Sequence, residues 1–197
     1  MDKQEFLQRY WNYYLTLEED FEKTNRFVEL NKDNYNTYSV EFSKQLQSIC
    51  SEIDVLCKSI CNFYNELPTK KEDQNMYKYT QIIIKNIPDI KESEINLKRI
   101  NIALKPFECW PHKPEWWDSY NQVKHHRHEQ FNQANLKNVL NALGGLFILE
   151  TYLLDVICKK DNEENDIPPK QSDLFNLKNH ETNAISMSDI IAVSCGK

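Results

Sequence analysis

The sequence predicts an all-α protein: an antiparallel bundle of four main helices, with an extra short helix and a small extended or β excursion near residues 93–107. Three observations carry this expectation. The 197 residues include only three glycines, and the seven prolines cluster at 68, 88, 106, 111, 114, 168 and 169, so long stretches lack the residues that break helices. A composition of 40% hydrophobic and 27% charged residues is that of a globular chain able to bury one core of ordinary size. The third observation is a period. Tyr38, Phe42, Leu46, Ile49, Ile53, Leu56, Ile60, Phe63 and Leu67 follow one another in steps of three and four, the spacing that keeps one helix face apolar.

Each element follows in order. Residues 2–29 carry an apolar stripe at Phe6, Tyr10, Tyr13/Tyr14, Leu17, Phe21 and Val28, with Glu18, Glu19, Asp20 and Lys23 on the opposite side. The polar run Asn31 to Asn36 breaks it. The regular second segment reads as the seam of a long helix packed near-antiparallel to a neighbour, ending at Pro68. A shorter helix covers 73–86, with Tyr77 and Ile82 to Ile84 inward. Ile95, Leu97, Ile100, Ile102 and Leu104 approach a two-residue alternation, which predicts one or two short strands. Pro106, Pro111 and Pro114 then form a rigid lead-in to a short helix over 116–128. The last long helix spans about 132–160, burying Leu136, Val139, Leu140, Leu143, Phe147, Leu153, Leu154 and Ile157. Gly144-Gly145 inside it costs about 1 kcal/mol per glycine relative to alanine, which predicts a close helix crossing there. Residues 1–160 thus form a single domain. The tail 161–197 reads as polar and irregular, with Leu174-Phe175 docking as a small staple. The many asparagines are read as coding bias rather than chemistry.

Charge and cysteines narrow the function classes. A net charge of −6 argues against a protein that coats nucleic acid, since that mode needs excess Lys and Arg to neutralise phosphates. Within this acidic chain, segment 105–128 concentrates Lys105, Lys113, Lys124, Arg127 and four of the five histidines. The six cysteines include no Cys-x-x-Cys pair and follow no secretory leader. Cys50, Cys57 and Cys61 instead share one helix flank as small apolar fillers. A cytoplasmic location is expected, with no membrane span, because the strongest apolar run, Leu143 to Leu149, is far short of the ~20 residues a bilayer needs.

The most informative stretch is Trp116 to His128. At about 100° per residue, Trp117, Asn121, Lys124, His125 and His128 fall in one sector of a helix, whereas Trp116, Tyr120, Val123, Arg127 and Phe131 fall in another. One face can be packed while the other offers a proton-transferring ring beside a cation. A zinc reading of His112, His125 and His128 lacks a carboxylate partner placed nearby, and no metal site or cofactor is implied. A plain solvated polar face remains an alternative.

The runs Ser51 to Lys58, Trp117 to Arg127 and Ala134 to Leu143 resemble the HEPN-type helical bundles (higher eukaryotes and prokaryotes nucleotide-binding), a similarity that covers roughly residues 36–160. The resemblance implies an RNA-directed protein of toxin or phage-defence type, commonly a metal-independent endoribonuclease acting as a homodimer. It also implies RNA or a nucleotide as ligand and an antitoxin or defence protein as partner. The family signature is an arginine, a polar residue, a few further residues and a histidine. Here His125 takes the histidine position and Asn121 the polar one, while Tyr120 stands where arginine would. The positive charge must then come from Lys124 or Arg127. His125 would be the acid/base, Asn121 would position substrate, Trp117 and His128 would contact it, and Glu52 would orient His125 or Lys124 across the bundle. The competing readings are a non-catalytic bundle that binds a nucleotide or protein, and an assembly module using Trp116 and Trp117 as contact residues.

Overall fold

Four helices begin at a capping side-chain oxygen, and the two longest end at a residue in left-handed backbone. The computed structural model describes residues 1–163 and 167–178; the expected irregular tail falls outside these residues at 164–166 and beyond 178. Asp2 caps α1 (Lys3–Phe6), which continues through a π turn (Leu7–Trp11) into α2 (Asn12–Thr24). Ser39 caps α3 (Val40–Phe63), accepting from the Phe42 amide at 3.0 Å. Asn75 caps α4 (Met76–Asn86), and Asn135 caps α6 (Leu136–Asp161), where its Oδ1 accepts from the Asn138 amide.

The two longest helices stop in the same way. Asn65 and Asn162 adopt φ of 58° and 54°. The next amides, Glu66 N and Glu163 N, donate to Cys61 O and Cys158 O, both at 2.9 Å. Asparagine is the side chain other than glycine that best tolerates this region. At these positions the asparagines have a structural part, whatever sets their abundance. α3 also ends before Pro68, at this left-handed Asn65.

Among the described residues the protein is mostly helical, with one small three-stranded antiparallel sheet. β1 (Ile95–Leu97) and β2 (Ala103–Leu104) occupy the expected excursion, and β3 (Phe175–Leu177) comes from the C-terminal segment. Leu97 pairs with Phe175 and Ile95 with Leu177. Leu174-Phe175 thus docks as expected, but as part of a strand that completes a sheet.

α3 and α6 form the most extensive helix pair, with α2, α4 and α5 (Glu115–Gln130) packed on α3. The apolar seam of α3 is buried from Phe42 to Ile60, and Cys50, Cys57 and Cys61 fill its flank. α6 is the one described helix long and apolar enough to cross a bilayer. The protein itself buries 78% of that stretch, as a core helix requires.

Three details depart from the sequence reading. In α4 the inward aromatic is Tyr79; Tyr77 is exposed. The close approach at Gly144-Gly145 is made by β1, Phe107 and the first turn of α5 together, not by one crossing helix alone. A side chain at Gly144 would run into Ile95 of β1, and one at Gly145 would come within 3.2 Å of the Phe107 ring and 3.4 Å of the Trp116 ring. The glycines seat the 95–116 excursion on α6. Glu18, placed on the polar side of α2, is 2% exposed. Its carboxylate accepts from the Tyr14 hydroxyl at 2.6 Å, the Asp173 amide at 2.9 Å, the Leu174 amide at 3.3 Å and the Ser172 hydroxyl. Glu150 is fully buried in α6, and neither of its oxygens has a hydrogen-bond partner among the described residues.

Candidate functional site

The first half of α5 (Glu115–Gln130) is fixed by apolar packing and by its lead-in. The Pro114 carbonyl accepts from the Trp117 and Asp118 amides, and Trp116 Nε1 donates to the Pro106 carbonyl at 3.0 Å. Trp116 packs on Phe107, Trp117 lies 5.1 Å from the Tyr120 ring, and Val123 is buried. Beyond that point the helix changes. His126 has φ −132° and ψ 35°, so the helical register is interrupted in the middle of the histidine run.

A buried polar network pins the turn that follows. Asn138 Nδ2 donates to Ser119 Oγ and to the Gln133 carbonyl, both at 2.9 Å, while Ser119 Oγ donates to Gln133 Oε1 at 3.0 Å. Tyr38 and Phe131 pack edge to face at 5.8 Å against the same turn. The end of α5 is held from α6 and from the entry to α3, not by its own helical bonds alone.

The break matters for charge. A continuous helix would put Arg127 with Trp116, Tyr120 and Val123 on the packed side. Instead Arg127 is exposed and joins Lys124, His125 and His128 around one open groove of about 380 Å³, with Gln47 of α3 on the facing wall. Among the described residues no carboxylate lines this groove. The Lys124 ammonium sits 5.3 Å above the Tyr120 ring, a cation–π contact that holds it at the rim. Arg127 has no ion pair with a described residue. His128 Nε2 lies 3.3 Å from Glu129 Oε1 at the outer edge. The imidazole of His125 is exposed rather than tied up in packing. Two permanent cations and two imidazoles thus share one face of an acidic chain, which focuses positive potential locally.

Trp117 and Glu52 do not stand where their assigned roles require, and Asn121 is partly committed elsewhere. Trp117 is 8% exposed, wedged between Trp116 and Tyr120, so it offers no free ring face for stacking. Asn121 is half-buried and spends an amide N–H on the Trp117 carbonyl at 2.9 Å, leaving only its oxygen and one N–H. Glu52 makes no hydrogen bond to His125 or Lys124. It is half-buried on α3, and its charge acts on Glu150 instead. Burial raises the Glu52 carboxyl, and burial together with Glu52 raises that of Glu150 well above the usual carboxylate range. Asp54 and Lys58 form the expected ion pair on the helix surface.

Gln47 and the relocation of Arg127 were not apparent from sequence. Gln47 sits among flanking polar residues with no pattern to single it out. Among the described residues no group of three or more His, Cys, Asp or Glu is arranged to hold a metal ion, so His112, His125 and His128 do not assemble as a zinc set. Compared with family models, curated proteins and solved structures, the chain shows no significant match to any.

Proposed function

We propose that this is an RNA-directed protein of HEPN type, a metal-independent endoribonuclease that works through the Lys124–His128 groove. The observation that carries the reading is the convergence of Lys124, His125, Arg127 and His128 on one open groove that no carboxylate among the described residues lines. Cleavage at the ribose needs a base for the 2′-hydroxyl and positive charge at the pentavalent phosphate. His125 supplies the base, since imidazole titrates near neutrality. Arg127 supplies the planar fork that suits phosphate, taking over from the arginine that the family signature would place at Tyr120. Lys124 adds a point charge, and His128 contacts the neighbouring phosphate or returns the proton to the leaving oxygen.

The reading includes a four-helix antiparallel arrangement of HEPN type, a cytoplasmic setting and an isologous homodimer. Pairing two such grooves across a two-fold axis doubles the positive surface. A toxin or phage-defence role, with an antitoxin or defence protein as partner, belongs to the same proposal.

The test is cleavage of total RNA in EDTA. The wild type should degrade it. His125→Ala should abolish cleavage while leaving the melting temperature within about 1 °C, because an exposed ring contributes little to stability. Cleavage that survives His125→Ala refutes the assignment of the base. RNA binding without cleavage would identify a binding module in place of the enzyme.

A further inference from the structure

Followed past His128, the α5 groove runs toward an aromatic pair. One wall is α3, which supplies Gln47; the other is α5, which supplies Lys124, His125, Arg127 and His128. Toward the start of α3, Val40 stands seven residues before Gln47, about two turns along the same helix face, and is 70% exposed. Toward the end of α5, Phe131 follows His128 by three residues. The two walls meet where Tyr38 and Phe131 pack edge to face, with ring centroids 5.8 Å apart and ring planes at 83°.

Tyr38 is held in place and yet exposed. The apolar series that begins at Tyr38 would bury its ring beside Phe42 and Leu46, but Ser39 is extended, with φ −155° and ψ 165°, and α3 starts only at Val40. Tyr38 therefore leaves the helical register and is 51% exposed. Its backbone is fixed from α6. Tyr38 forms a β-bridge with Asn135, the Thr37 carbonyl accepts from the Leu136 amide at 3.0 Å, and the Tyr35 carbonyl accepts from the Lys137 amide at 3.1 Å. An exposed ring on a fixed backbone offers contact area and loses little freedom when a ligand covers it. Cationic grooves that track a phosphate backbone, with aromatic rings on which bases stack, are the general plan for binding single strands. A duplex keeps its base faces inside the stack, so a ring of this kind serves unpaired bases.

We propose that Tyr38 is a base-stacking residue, which makes the ligand of the groove a single-stranded RNA. An unpaired base lies on the exposed ring of Tyr38, and the adjoining phosphates run along Lys124 and Arg127. The proposal rests on the groove being the RNA site. Tyr38 takes no part in proton transfer; it places the strand and acts on affinity.

Fluorescence anisotropy tests this with full-length His125→Ala protein as parent, so that strands stay intact, and a labelled single-stranded RNA of about twelve nucleotides. Tyr38→Leu, which keeps apolar cover on Phe131, should weaken binding about tenfold, as loss of one stacked base does. Tyr38→Phe should bind like the parent. A base-free strand of the same length, abasic at every ribose, should bind parent and Tyr38→Leu alike, because only phosphate contacts remain. For the same reason the slope of log K against log salt should be unchanged by Tyr38→Leu and reduced by Lys124→Ala. If Tyr38→Leu fails to fold, Tyr38→Met serves the same purpose. Stacking is overturned, with the groove reading intact, if Lys124→Ala weakens the strand while Tyr38→Leu holds it like the parent. It is overturned also if Tyr38→Leu loses as much affinity for the base-free strand, or if the substitution changes the mass in solution in place of the affinity, which would make Tyr38 a contact between copies. A parent that binds no RNA overturns both readings together.

Discussion

Replacing Glu18 by alanine tests how the C-terminal strap is held. The carboxylate accepts four hydrogen bonds, three of them from Ser172, Asp173 and Leu174 and one from Tyr14. Hydrogen bonds to a charged group contribute about 1.5–3 kcal/mol each, and a buried donor left without its acceptor costs about 1–3 kcal/mol. With the strap kept in place, the substitution would therefore cost several kcal/mol. Release of the strap limits that loss. Letting go exposes Leu174 and Phe175, now 2% and 1% exposed, at about 1.5–3 kcal/mol each. Backbone freedom regained by the released residues offsets part of this cost. The expected net loss is about 3 kcal/mol, close to the upper end of ordinary single substitutions. For a chain of this length that lowers the melting temperature by about 6–12 °C. Urea unfolding measures the loss, and hydrogen exchange on a peptide covering 167–178 locates it. The amides of Asp173 to Leu177 should lose protection while those of α3 and α6 keep theirs under native conditions. Glu18→Gln, which retains an acceptor oxygen, should fall in between. An alanine variant that melts within about 1 °C of wild type with unchanged exchange in the strap would refute the reasoning.

Glu150→Gln should stabilise the protein. The Glu150 carboxyl is raised well above its ordinary 4.5 by burial and then by Glu52, so the folded state keeps a proton that the unfolded state gives up. The stability it contributes is complete below about pH 4.5 and is lost as the pH rises from there through the raised value. In the wild type, urea midpoints should fall with pH across that window. The glutamine variant should flatten the profile and gain about 1 kcal/mol or more near pH 8; parallel profiles would sink the idea. Gly144→Val drives a side chain into fully buried Ile95 and should cost about 2 kcal/mol net of the gain in helix propensity, read by the same unfolding curves. Lys124→Ala and Arg127→Ala should each weaken RNA binding across unrelated sequences and reduce the slope of log K against log salt by about 0.7. A slope unchanged in both variants would remove phosphate from the groove.

The sequence by itself determined the elements whose physics is local. The apolar steps from Phe42 to Ile60 set the buried face of α3, because a helix repeats at short range whatever it packs against. The capping side chains Ser39, Asn75 and Asn135 start three helices through oxygens that reach an amide three residues on. The alternation near Ile95 foretold a strand for the same reason. Several features depended on residues far along the chain. Glu18 reads as a surface charge until Ser172 to Leu174 close over it. Gly144-Gly145 announces a close approach, yet only the fold identifies Ile95, Phe107 and Trp116 as what approaches. Projected along one uninterrupted helix, Arg127 belongs with the packed residues. The break at His126, beside a turn anchored by Asn138, brings it to the groove with Lys124 and His125. Side-chain periodicity is a property of a few consecutive residues. The partner of a buried carboxylate, or the direction of a cation beyond a helix break, is set by which distant segments meet, and only the tertiary structure decides that.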